Sequence, residues 1–247
     1  MLLKDILEST PGLNRRFVHY LESKGYIQPH KIQKQRIARR EYRDSDLETI
    51  QEVWRYYQRG YALQAAYDLA KRSDRALGYI TFLAFPHWQR ELLEGLKECP
   101  QVVEASCVYG TSFDVIVKTD TPDESDVYAN VIPALAKLGL QGHPQYRLTE
   151  QRYVNLAEER EEGPKGMQAY LIMKVPGKGV GRVMEALKGI DSIKEASTVY
   201  GESDIIAKVQ VDNQEDLDSL VINRIHGIPD VESTRTFIVI RNLHWSR

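Results

Sequence analysis

Glu104-Ala105-Ser106-Cys107-Val108-Tyr109-Gly110 returns 91 residues later as Glu195-Ala196-Ser197-Thr198-Val199-Tyr200-Gly201. After a one-residue gap, Asp114-Val115-Ile116-Val117-Lys118 returns as Asp204-Ile205-Ile206-Ala207-Lys208. Upstream, Tyr79 matches Tyr170 and Leu96-Lys97 matches Leu187-Lys188. Self-similarity at a fixed period marks a duplicated structural unit. Each copy reads strand, helix, strand, strand, helix, strand. In the second copy these are predicted at 169–175, 181–187, 194–199, 204–211, 214–224 and 234–240. That order is the split βαβ arrangement of a ferredoxin-like unit. Residues 157–166, Ala-Glu-Glu-Arg-Glu-Glu-Gly-Pro-Lys-Gly, are charged and structure-breaking and read as a linker. The copies are therefore expected as separate domains at 76–156, the more divergent one, and 167–247.

Residues 1–75 have a different pattern. Leu2, Leu3, Ile6 and Leu7 predict a first helix stopped at Pro11-Gly12. Asn14 can cap a second, with Gly25 just past its end. On a helical wheel, Leu13, Phe17, Val18 and Leu21 share one face, and Arg15, Arg16 and His19 project from the other with Tyr20 at the border. Tyr26-Ile27 and 40–43 are expected as short extended segments around a basic loop. Ser45-Asp46-Leu47-Glu48 reads as a capping box opening a third helix, with Leu47, Ile50, Val53, Trp54 and Tyr57 inward. Gly60 ends it, and 62–72 makes a fourth. The expected fold class is thus α+β: an N-terminal winged helix-turn-helix followed by two ferredoxin-like (βαββαβ) domains.

The chain has 247 residues, 42% of them hydrophobic, enough for two or three globular domains. Its net charge of −2 conceals an asymmetry. Residues 1–75 hold 15 of the 33 Lys/Arg and 10 of the 35 Asp/Glu, a net of +5, and the remainder carries −7. A basic head on an acidic body suits a polyanion partner. Lys31, Lys34, Arg36, Arg39, Arg40 and Arg43 stand against Glu41 alone between residues 30 and 43. A solvated basic surface gives the same composition. No apolar run approaches a membrane span, and Lys4-Asp5 interrupts any secretory core. Two cysteines, Cys99 and Cys107, make no disulfide framework, so a cytoplasmic location is expected.

The run 12–27 resembles the recognition helix of MerR-type regulators. That family places an arginine where Arg16 stands, an Arg-Tyr-Tyr-Glu run at 19–22, and a glycine ahead of two apolar residues. The basic loop closing on Glu41-Tyr42-Arg43 resembles its wing. His19 and Leu21 depart from the pattern, and the long dimerising helix is lacking. The second repeat resembles the ligand-binding domain of Lrp/AsnC-type regulators, relatives of the ACT domain. Val199-Tyr200-Gly201-Glu202-Ser203-Asp204 and Gly227-Ile228-Pro229-Asp230-Val231 carry that resemblance.

Together these resemblances imply a sequence-specific DNA-binding transcriptional regulator, assembled as a homodimer or higher even oligomer. Double-stranded DNA would meet Asn14, Arg15, Arg16, His19, Tyr20, Lys31, Lys34, Arg36, Arg39, Arg40, Tyr42 and Arg43. Arginine can read guanine bidentately while lysine neutralises phosphate. A small effector, an amino acid first, would meet Tyr200, Gly201 and Asp204, and their counterparts Tyr109, Gly110 and Asp114. Each aspartate could equally cap its own turn. Gly177-Lys178-Gly179-Val180-Gly181 lacks the ending of a P-loop. The histidines and cysteines do not cluster, so no metal or cofactor is expected. No paired acid and base points to an enzyme, although a few AsnC-like proteins resemble tetrapyrrole decarboxylases. An architectural DNA-binding protein without effector is the other alternative.

Overall fold

The computed structural model describes residues 1–34, 37–72, 75–155, 166–201 and 204–247. Arg36, Glu202, Ser203 and nearly all of the predicted linker lie outside the described residues. The chain divides into two compact units, Met1–Arg75 and Ala76–Arg247. No helix among the described residues is long and apolar enough to cross a membrane.

The first unit holds α1 (Leu3–Ser9), α2 (Arg15–Ser23), a hairpin of β1 (His30–Lys34) and β2 (Ile37–Glu41), α3 (Asp44–Gln58) and α4 (Leu63–Ala70). Ile6, Phe17, Val18, Leu21, Ile50 and Val53 meet in its core. Asn14 caps α2 by accepting from the Phe17 amide at 2.9 Å. Three expectations shift. The strands lie inside the segment read as a loop, because a polar two-stranded ribbon carries no apolar alternation to betray it. Helix α3 opens two residues earlier, with Asp46 accepting from the Arg43 amide at 2.9 Å rather than a Ser45–Glu48 box. Tyr56, not Tyr57, enters the core, and Tyr57 is 46% exposed. Position 53 can be continued by three or four residues on a helix face, and three wins here.

The second unit is one closed barrel, not two domains. Its strands are β3 (Ala76–Ala84), β4 (Val102–Tyr109), β5 (Val115–Thr121), β6 (Leu140–Val154), β7 (Met167–Lys174), β8 (Ile193–Val199), β9 (Ile205–Val211) and β10 (Ser233–Ser246). Helix α5 (Gln89–Leu96) follows β3. A helical turn Glu124–Asp126 and a π-helical stretch Val127–Val131 lead into α6 (Ile132–Lys137). The second copy places α7 (Val180–Lys188) and α8 (Gln214–Ser219), the latter running into a π-helical stretch Leu220–Ile225. Within each copy the strand order is ferredoxin-like: β6-β3-β5-β4 in the first, β10-β7-β9-β8 in the second. The long last strand of each copy then crosses over, β6 pairing β8 and β10 pairing β4, both antiparallel. Among the described residues, closure in this way leaves the barrel no open edge strand.

Most positions of β3, β4, β5, β7, β8 and β9 are buried on both faces. Ala169, Leu171 and Met173 pack among the apolar side chains of α7 and α8, while Tyr170 and Ile172 alternate into the cluster shared by both copies. That shared core also holds Val108, Ile116, Val199 and Ile206, and Phe113 stacks on Phe237 with ring centres 4.1 Å apart. The two copies thus bury these sheet faces against each other within one chain.

Candidate functional site

On the first unit, Arg15 and Arg16 lie exposed on the first turn of α2, with Tyr20 exposed and His19 half-buried one turn on. Phe17, Val18 and Leu21 anchor the opposite face. Arg40 of β2 reaches back to α2, its Nε 3.0 and 2.7 Å from the two Glu22 carboxylate oxygens. Glu22 also lies 3.6 Å from His19 Nδ1. Arg40 thus staples hairpin to helix, which removes much of its freedom to meet a polyanion. Arg43 is exposed at the head of α3. Backbone of Lys31, Lys34 and Arg39 lies in the hairpin, with their side chains outside the described set. Tyr42 is a correction: it is buried, and its backbone pairs with Met1 at 2.9 and 3.0 Å. Sandwiched in the core, it presents nothing to DNA.

The two Tyr-Gly turns sit at the ends of β4 and β8, with Tyr109 and Tyr200 more than half exposed. Gly110 is obligatory, because a Cβ there would meet the Phe113 carbonyl at 2.5 Å. Gly201 holds φ at +130°, a region side chains avoid. The aspartates already hold backbone partners. Asp114 accepts from the Ala84 amide at 2.9 Å, and Asp204 from the Val175 amide at 2.9 Å with Lys174 at 3.0 Å. Each pins the end of its copy's first strand. Nor is Gly177–Gly181 a phosphate cradle: the Asp230 side chain crowds Gly179, itself bridged to Arg182 at 2.7 Å.

The chemistry the sequence reading missed lies inside the barrel. Glu195 receives both Lys118 contacts at 2.5 Å, Arg152 at 2.7 and 3.2 Å, and the Tyr79 hydroxyl at 3.0 Å. Every one of these donors comes from the other copy. The counterpart Glu104 receives Lys208 at 2.6 Å and the Tyr170 hydroxyl. Burial alone would raise the Glu195 carboxyl, but Lys118 and then Arg152 outweigh it and hold it at about 2. Glu104 is lowered too, its burial outweighed mainly by Lys208 and Lys118. Tyr79/Tyr170, Glu104/Glu195, Ser106/Ser197 and Lys118/Lys208 are the residues that repeat most strictly, so the signal was present in the duplication itself. Arg152 has no such echo: His244 occupies its place, its Nδ1 2.8 Å from Ser106 Oγ. Burial, then Lys208, lowers the His244 imidazole and keeps it neutral at pH 7. Beside it opens a cleft of about 770 Å3, edged by Tyr109, Met167, Gln168 and Asn242. The thiols take no part; both are free and buried, and Cys107 is pushed up to about 12 by burial and then Asp114.

Residues 168–246 match the family described as Lrp/AsnC ligand binding domain. No curated protein matches the chain significantly. Among solved structures, FFRP-DM1 is 36% identical over 30% of this chain and 99% of its own, at a TM-score of 0.29. Siroheme decarboxylase NirDL aligns with 99% of this chain and 91% of its own at 11% identity and a TM-score of 0.55. The same decarboxylase in co-complex with an iron-uroporphyrin III analogue aligns with 68% of this chain and 71% of its own, at 12% identity and a TM-score of 0.51. The two likenesses to siroheme decarboxylase NirDL show a shared fold, which in one of them extends along 99% of the chain. They also overturn the expectation that the chain is not an enzyme. In that protein this architecture carries catalysis, so the lack of a sequence-local acid–base pair gives no ground for excluding it here.

Proposed function

Residues 168–246 belong to the Lrp/AsnC ligand binding domain family, and on that premise we propose that the chain is a DNA-binding regulator whose helical head reads duplex DNA. The observation that carries this is the pairing of an exposed arginine face on α2 with a basic hairpin stapled to the same helix through Arg40 and Glu22. Such a head is a winged helix-turn-helix, with Arg16 the base reader and Arg15, Arg43 and the hairpin lysines set for phosphates. The Tyr-Gly turns offer Tyr109 and Tyr200 to a small effector, an amino acid first, with Asp114 and Asp204 as scaffold. An effector can move operator affinity only by binding two arrangements of a dimer unequally. The test is selection of sheared genomic DNA by the purified protein, with and without amino acids, followed by titration of the Arg16→Ala variant. The reading expects enriched inverted repeats and, in the variant, binding weaker by about 1–3 kcal/mol with relaxed discrimination at the base pair Arg16 reads. Flat enrichment, or a variant that binds and discriminates as the wild type does, would overturn it. Peaks that ignore every amino acid would leave an architectural DNA-binding protein.

A second reading rests on the whole-chain likeness to siroheme decarboxylase NirDL. In it the chain decarboxylates a tetrapyrrole. Titration with iron-uroporphyrin III should then shift the Soret band, and incubation should yield products lighter by carbon dioxide. An unshifted spectrum with intact substrate would remove it.

A further inference from the structure

We propose that this chain carries one small-molecule site in the barrel wall beside His244, and that it takes an organic anion with an apolar body. Two equivalent seams join the copies. At the first, Thr149 opposes Val199 and Arg152 opposes Ser197. At the second, Val239 opposes Val108 and His244 opposes Ser106. Between these marks β6 takes three steps and β10 takes five. The two additional residues form a bulge in which Asn242 adopts φ +67°, a conformation that asparagine tolerates better than most residues. On its other edge β10 stops pairing with β7 at Ile238 and Ala169, so the bulge stands away from Met167 and Gln168.

Side chains widen the difference. Arg152 fills the first seam and reaches Glu195 in the opposite copy with two contacts. His244 is shorter and stops at Ser106, leaving Glu104 to Lys208 and Tyr170. An arginine spans the first seam, and the second opens on a cleft whose volume suits a drug-sized ligand. Met167, Ile238 and Ile240 give it an apolar wall, and Gln168, Asn242 and His244 supply polar groups. Among the described residues Arg241 is its one formal charge and no carboxylate lines it. An apolar wall, convergent polar groups and one cation at an open rim select an amphipathic anion over a cation or a sugar. The proposal stands apart from both readings above, since neither names this seam.

Anilinonaphthalene sulfonate, an aromatic organic anion, is a suitable probe for the full-length protein. Its fluorescence should saturate at one probe per chain, and the C2 proton resonance of His244, identified by its loss in His244→Gln, should move during the titration. Arg241 is exposed, so Arg241→Glu leaves the fold intact and should weaken the probe about tenfold. Gln168→Trp fills the cleft and should abolish binding. Two probes per chain, a stationary His244 resonance, or undiminished affinity in Arg241→Glu would each overturn the proposal. Should Gln168→Trp not fold, Arg241→Glu and the resonance decide the matter.

Discussion

Replacing Glu195 by Gln keeps the shape of the side chain and removes its charge. Lys118, 8% exposed, is then left with its charge buried, whereas Arg152, 35% exposed, can turn to solvent. Removing one partner of a buried pair costs about 3–5 kcal/mol. An independent route gives a similar figure. Holding the carboxyl at about 2, against an ordinary 4.5, corresponds to about 3 kcal/mol of native-state stabilisation. The sign follows from the direction: the folded carboxyl is depressed, so its contribution is complete above pH ~4.5 and lost as pH falls toward 2. In a unit of this size, about 3 kcal/mol lowers the midpoint by ~6–12 °C. Thermal and urea melts at pH 7 should show that loss in Glu195→Gln. The Lys118→Met/Glu195→Leu double variant, with neither charge left to strand, should recover most of it, a coupling of about 2 kcal/mol. Between pH 5 and pH 2 the wild type should converge on Glu195→Gln. A penalty below about 1 kcal/mol at pH 7, or one that does not shrink on acidification, would refute the claim that this network holds the copies together.

Three further outcomes can be read cheaply. Tyr42→Phe should leave DNA affinity unchanged and stability equal or higher by melt, because the Tyr42 hydroxyl is buried without a hydrogen-bond partner. Asp204→Ala should cost about 1–2 kcal/mol by urea titration, since it strips the Val175 amide of its acceptor, and should do so with or without amino acids present. Cys107, its thiol pushed up to about 12, should resist iodoacetamide at pH 8 until the barrel unfolds, as mass spectrometry of the native and denatured protein would register.

How much of this was legible depends on how local the cause is. The elements of the second copy fall within a residue or two of their predicted bounds, save for β10, because β-branched runs such as 205–211 and a cap such as Asn213 act over one turn or one strand. The hairpin was misplaced because the sequences of 30–34 and 37–41 are dominated by Lys, Arg, Gln, His and Glu, so no period-2 apolar alternation appears in them. Barrel closure was illegible for another reason. It depends on where the ends of β6 and β10 go, and Glu195 meets Tyr79 across 116 positions. Of the candidate site, the strictly repeated Tyr, Glu, Ser and Lys could have been read as the shared interior. Arg152 and His244 could not, because what they have in common is a barrel position with no matching residue type.

That difference bears on why both copies lie on one chain. In a homodimer the two seams are related by a two-fold axis, and any residue placed at one seam is placed at the other. A sealing arginine and an open histidine cannot then coexist, nor can a bulge be long at one seam and short at its twin. Joining the copies covalently lifts that identity. Glu104 and Glu195 keep their reciprocal ammonium partners, Lys208 and Lys118, and with them the charges that fix the register of the halves. With register secured on both sides, one seam could change. The first carries a guanidinium that spans it, and the second has two more residues in β10 and no such side chain. If the open seam is where the chain differs from a symmetric ancestor in function, closing it should leave folding intact while removing ligand response. His244→Arg tests this directly. The arginine should find Glu104 as Arg152 finds Glu195, raise the midpoint of unfolding, and abolish probe binding. A variant that melts lower and binds as before would mean that the asymmetry is drift.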